Sequence, residues 1–163
     1  MHAQSVAPIS HLLSALSKVL TKAEAHCEAR KIDPAAILTA RLFPDMFHFT
    51  RQVQLVTDFA KGPAARLAGL PVPSYEDNEV TFADLQGRIA KTLAFLATVT
   101  PAMLEGAAAR DVTFKARGQE VTLPGQSYFS NAAQPNFFFH LTTAYNILRH
   151  NGVDLGKGDF IGR

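Results

Sequence analysis

Asn136, His140 and Thr143 stand at i, i+4 and i+7 within the segment Gln134–Gly152, a spacing that puts them on one helical face. Phe137, Phe138, Phe139, Leu141, Ile147 and Leu148 surround them, so the stripe interrupts an otherwise apolar helix. Asp45, His48 and Gln52, spaced three and four apart in an earlier segment, share a face in the same way. Imidazole and carboxylate are ligands for zinc, nickel, iron or manganese, and a site built from them usually leaves one position open to water. If the two stripes face each other, these side chains line one polar pocket, with His140 and His48 as the metal candidates. The competing reading needs no cofactor. Asp45 then serves a helix N-terminus, and His140 is a satisfied histidine beneath the phenylalanines. The expectation is a pocket without a cofactor; its alternative holds one divalent metal.

Other chemistry is sparse. There is no His-Glu-x-x-His, no phosphate loop and no dinucleotide fingerprint. Gly156-Lys157-Gly158 lacks both a P-loop frame and a following helix, so it reads as structural tail. Cys27 is the only cysteine, which excludes a disulfide framework and reads as a buried small apolar group. Ser127 and Ser130 have no identifiable base nearby in sequence. Asp58 is expected to pair at the surface with Arg51 or Lys61.

Four amphipathic segments must position these residues. The first runs from Val6 to Arg30, with Leu12, Leu13, Leu16, Val19 and Leu20 on its apolar face. Asp33-Pro34 then resembles a cap with a first-turn proline, predicting a short helix over Pro34–Leu38. A second long helix is expected over Pro44–Leu67, kinked or divided at Gly62-Pro63. Leu70–Ser74 is an extended loop. The third helix begins at Thr81, where Thr81 and Asp84 approximate a capping box. Between Asp111 and Pro124 the period becomes two, which predicts a hairpin turning at Arg117-Gly118. A loop through Ser130–Ala133 leads to the fourth helix, and the Gly-rich tail from Val153 to Arg163 reads as extended. The predicted fold is all-α: an antiparallel four-helix bundle forming one domain over residues 1–163, with a small β-hairpin between helices three and four.

Composition narrows the class of partner. With 163 residues the chain is long enough for one sizeable core. Sixteen basic and fourteen acidic residues leave a net charge of +2 without any Lys/Arg cluster, which argues against nucleic acid. No run of eighteen apolar residues suggests a membrane span. The start, Met1-His2-Ala3-Gln4-Ser5, lacks a basic n-region, so a cytoplasmic location is expected.

Leu42-Phe43-Pro44-Asp45-Met46, Arg51-Gln52-Val53-Gln54, Asp58-Phe59-Ala60-Lys61-Gly62 and Phe137–Tyr145 through Arg149-His150-Asn151-Gly152 resemble the uncharacterised DUF1993 family, over nearly the whole chain. The resemblance implies a DinB/YfiT-like four-helix bundle. Many members of that superfamily bind a divalent metal through three histidines, one on the second helix and a His-x-x-x-His pair on the fourth. Matching the fourth helix puts the second histidine of the pair on His140 and the first on Asn136, so the pair is broken here. The second-helix histidine corresponds to His48. Superfamily activities include small-thiol S-transfer and metal-dependent hydrolysis.

The expected function is therefore a small-molecule-binding bundle with a polar pocket between helices two and four. The alternative is a metal-dependent S-transferase or hydrolase. A homodimer is also expected. Three successive helical residues, Phe137-Phe138-Phe139, sweep about 200° of the circumference and cannot all enter one core stripe.

Overall fold

The computed structural model describes residues 1–163. Helix α1, Val6–Arg30, buries Ile9, Leu13, Leu16, Leu20, Ala23 and Cys27 at the predicted periodicity. It stops at Lys31, which takes a left-handed conformation with φ 54°. Helix α2, Pro34–Leu38, starts as Asp33-Pro34 predicts, the Asp33 carboxylate accepting the Ala35 N–H at 3.0 Å.

Helix α3, Phe49–Ala68, begins later than Pro44. Phe43–Met46 is instead a turn closed by the Met46 N–H on the Phe43 carbonyl at 3.0 Å, with Pro44 at the position that suits its fixed φ. Of the two outcomes expected at Gly62-Pro63, division does not occur: α3 runs continuously through Pro63. The ring removes one helical hydrogen bond, but Ala60, Gly62, Ala64 and Ala65 around it are buried, and their packing holds the helix. Helix α4, Phe82–Thr98, has the predicted capping box: Thr81 Oγ1 accepts the Asp84 N–H at 3.1 Å, and Asp84 returns a carboxylate to the Thr81 N–H at 2.9 Å.

Strands β1, Asp111–Ala116, and β2, Gln119–Pro124, pair antiparallel with Asp111 opposite Pro124 and Ala116 opposite Gln119. Both turn residues have positive φ, 51° at Arg117 and 78° at Gly118, the conformation that matches strand twist in a two-residue hairpin.

The predicted loop before the last helix is helical. A short helix α5, Gly125–Tyr128, runs through a π-helical turn, Phe129–Ala133, into α6, Gln134–His150. Pro135 accounts for the wide turn: it has no N–H for an i−4 bond, and its ring crowds the carbonyl one turn back. Gly125 is required where α5 starts, because a Cβ there would meet the Ala107 carbonyl oxygen at 2.0 Å. The tail is not extended either. Lys157–Ile161 forms a helix, α7, against α1, held by Lys22 to Asp159 at 2.6 Å and by His11 Nε2 at 2.8 Å from the Ile161 carbonyl.

The protein is thus mainly helical with one small antiparallel sheet. Helix α3 packs against α6 and α4, α1 packs against α4, and α1 makes lesser contacts with α3 and α6. Their apolar faces merge into one cluster of 34 buried residues. No helix is long and apolar enough to cross a membrane.

Candidate functional site

His140 on α6 and Gln52 on α3 meet inside this core, 88 positions apart in sequence. His140 Nδ1 lies 2.8 Å from Gln52 Oε1, and Gln52 Nε2 donates to the Phe47 carbonyl at 3.1 Å. The amide orientation settles the tautomer. Gln52 Oε1 only accepts, so Nδ1 carries the proton and Nε2 keeps its lone pair. The imidazole stacks on Phe59, with centroids 5.5 Å apart and planes at 13°, and meets Phe139 edge-on at 5.2 Å. Burial, reinforced by the positive charge of Arg51, pushes its pKa down to about 4. The ring is therefore neutral near pH 7.

The remaining predicted residues do not gather around this pair. Asp45 precedes α3 and is exposed in the Phe43–Met46 turn, so it never shares a helical face with Gln52. His48 is the N-cap of α3, its Nδ1 accepting the Arg51 N–H at 3.3 Å. Asn136 is exposed and donates to the Ala132 carbonyl at 2.7 Å, inside the π-helical turn. Thr143 is buried, but its hydroxyl bonds its own helix at the Phe139 carbonyl, 2.7 Å away. His48, Asn136 and Thr143 each find a local backbone partner, which draws them away from a shared pocket, while Asp45 stays in solvent.

A larger polar assembly lies beside this pair, and sequence spacing did not reveal it. The side chain of Arg88 on α4 is 2% exposed and reaches Thr57 at 2.7 Å, Glu79 at 2.9 Å, Asp58 at 3.0 Å and Asp77 at 3.1 Å. Lys61 holds Asp58 at 2.6 Å, the expected partner, but Lys61 is buried and Asp58 half-buried, and Arg88 joins them, so the pair is part of a network and not an isolated surface contact. Arg51 holds Asp77 at 2.6 Å and Gln54 holds Glu79 at 2.8 Å. These bonds strap the 76–79 segment onto α3 and α4. The ring of Tyr75, just before that segment, receives the ammonium groups of Lys91 at 4.2 Å and Lys61 at 4.6 Å. A signal existed in the sequence: Arg88 and Thr92 fall beside the apolar stripe Leu85, Ile89 and Leu96 of α4.

Between the strap and the hairpin, α3 forms the floor of a cleft of about 470 Å³. Phe59, Pro63, Val72, Phe114 and Tyr128 supply its apolar walls, and Lys61, Arg66 and Lys115 its positive charge. Phe59 is common to both sites, since one face of its ring covers His140 while the residue lines the cleft. His140 itself is not part of the lining.

The crystal structure of a DinB family member protein from Shewanella denitrificans matches this protein with a TM-score of 0.92 and 40% identity, over 98% of this chain and 90% of that one. The DUF1993 family, a domain of unknown function, matches residues 1–161, and the chain belongs to that family. No protein of curated function matches the chain.

The donor set does not fit the three-histidine metal site that the superfamily resemblance implies. Nowhere do three His, Cys, Asp or Glu side chains come together in a way that could hold an ion. Asparagine stands at the first position of the histidine pair and spends its amide on the Ala132 carbonyl. His48 spends Nδ1 on the helix cap.

Proposed function

We propose that this protein is a non-catalytic small-molecule-binding protein, a single antiparallel four-helix bundle over residues 1–163, whose ligand occupies the cleft between α3, the 72–75 segment and the hairpin. The observation that carries this reading is the cleft itself. Its volume of about 470 Å³ falls within the usual range for ligand pockets, roughly 300–1,000 Å³. Apolar walls with a few converging polar groups are the ordinary chemistry of such pockets. The Gln52–His140 pair serves as a rigid support behind Phe59 and not as a wall of the pocket. In this reading the protein works in the cytoplasm without a resident metal.

One feature favours the enzymatic alternative: Nε2 of His140 has no hydrogen-bond partner in the chain, as a ligand or base nitrogen requires. Its low basicity weighs against general-base catalysis near pH 7, and the missing companions weigh against metal-assisted hydrolysis or thiol transfer.

A fragment screen followed by amide chemical shifts tests the binding reading. Apolar fragments should move the signals of Gly62, Phe114 and Tyr128. If no fragment binds, or if shifts are confined to Phe43 and Phe139, the reading is wrong. Elemental analysis after chelator-free purification tests the metal-free part. One equivalent of retained zinc, nickel, iron or manganese that is lost in His140→Ala would reverse it.

We also propose a two-fold homodimer formed through the aromatic surface around the start of α3 and α6. Phe137 is fully buried, whereas Phe43, Phe47 and Phe139 are 62%, 56% and 57% exposed. Exposed aromatic rings at this density mark interaction surfaces.

A further inference from the structure

The cleft described above contains a cation whose charge nothing in the chain answers. Arg66 forms no ion pair; every salt bridge of the protein belongs to other residues. Its single side-chain hydrogen bond is from Nη1 to the Tyr128 hydroxyl at 3.3 Å. The guanidinium is half-buried over α3. Gly62 makes that position available, since a Cβ there would lie 2.8 Å from Nη1. Asp58 is the only acid in the lining, and it is already held by Lys61 and Arg88. The cleft therefore presents Arg66 and, at its exposed edge, Lys115 as uncompensated charge.

Tyr128 adds a second donor. Its hydroxyl oxygen accepts from Arg66 and makes no other hydrogen bond, so the O–H proton remains free. Its ring is fixed by burial and by Phe114, 4.8 Å away between centroids. Burial also holds the phenol in its protonated, donating form. A guanidinium fork and a phenolic O–H, converging within a wall of Phe59, Pro63, Val72 and Phe114, suit one kind of molecule.

We infer that the ligand of this cleft is a small organic monoanion with a flat apolar body, its acidic group held by Arg66 and Tyr128 and its body lying against Phe59 and Phe114. This inference rests on the cleft-binding reading and adds the chemical class of the ligand.

Two probes of the same shape separate the two ideas: 1-naphthoate and uncharged 1-naphthylmethanol, titrated into the isotope-labelled protein and followed by amide shifts. Wild-type protein should bind naphthoate about tenfold more tightly than the alcohol, as expected for a charge-assisted pair. Arg66→Gln should remove most of that preference by weakening naphthoate far more than the alcohol. Tyr128→Phe should weaken naphthoate to a smaller degree, with the ring contact to Phe114 retained. If the alcohol shifts Gly62 and Phe114 but naphthoate binds no better, or is indifferent to Arg66→Gln, the anion assignment is overturned and the cleft remains a binding site. If neither probe shifts these residues, the cleft-binding reading falls with it.

Discussion

Acid should destabilise this protein through one buried imidazole. His140 is stacked on Phe59 and bonded through Nδ1–H to Gln52, and burial beside the positive Arg51 brings its pKa to about 4. In the unfolded chain the ordinary value is about 6.5. Between these two values the unfolded state binds a proton that the folded state refuses. Stability then rises with pH across that window, is fully present above about pH 6.5, and is lost as pH falls toward 4. The gap of about 2.5 pKa units corresponds to roughly 3 kcal/mol, of which about 2 kcal/mol should be gone at pH 4.5. Other groups also titrate there, so the comparison must be made against a variant. His140→Gln keeps a side-chain donor opposite Gln52 and cannot titrate. Urea unfolding at pH 7 and pH 4.5 should show wild type losing about 2 kcal/mol more than His140→Gln. Equal losses would mean that the imidazole titrates as it does in water. The packing of Phe59 over His140, and with it the support assigned to that wall of the cleft, would then be wrong.

Arg88→Met should cost about 3 kcal/mol in chemical denaturation, because it leaves Asp58, Asp77 and Glu79 sharing one strap with less opposing charge. The remaining bonds from Lys61, Arg51 and Gln54 keep the value at the low end, and a cost under about 1 kcal/mol would show that the strap behaves as surface. Gly125→Ala should lower stability by about 2 kcal/mol through its clash with Ala107, while Gly87→Ala, with nothing within 4 Å of the new methyl, should not destabilise the protein. Sedimentation equilibrium at micromolar concentration should give a mass near twice 17.7 kDa, falling to the single-chain mass in Phe43→Ser/Phe139→Ser. A wild-type mass that stays at the single-chain value would defeat the dimer.

Much of the local structure was legible in the residues, for reasons that act over a few positions. Leu13, Leu16, Val19 and Leu20 specify the buried face of α1 because a helix repeats every 3.6 residues. Thr81 with Asp84 marks the start of α4 because two donors of its first turn need acceptors. Arg117-Gly118 marks the hairpin because positive φ is easiest where glycine supplies half of the turn. The face shared by His140 and Thr143 was also legible, and both are buried.

Where each polar group finds its partner depended on the tertiary structure. Spacing put Asp45 with His48 and Gln52, but the Pro44 turn delays α3 and leaves Asp45 in solvent, His48 at the cap and only Gln52 in the core. Asn136 was legible as a neighbour of His140 on an ideal helix, yet Pro135 and the π-helical turn before it leave its amide on the Ala132 carbonyl. The Arg88 strap and the Arg66–Tyr128 cleft join residues up to 62 positions apart in a hydrogen bond. No periodicity carries such pairings. They follow from which helix packs on which, and from the cost of leaving a buried charge or hydrogen-bonding group without a partner.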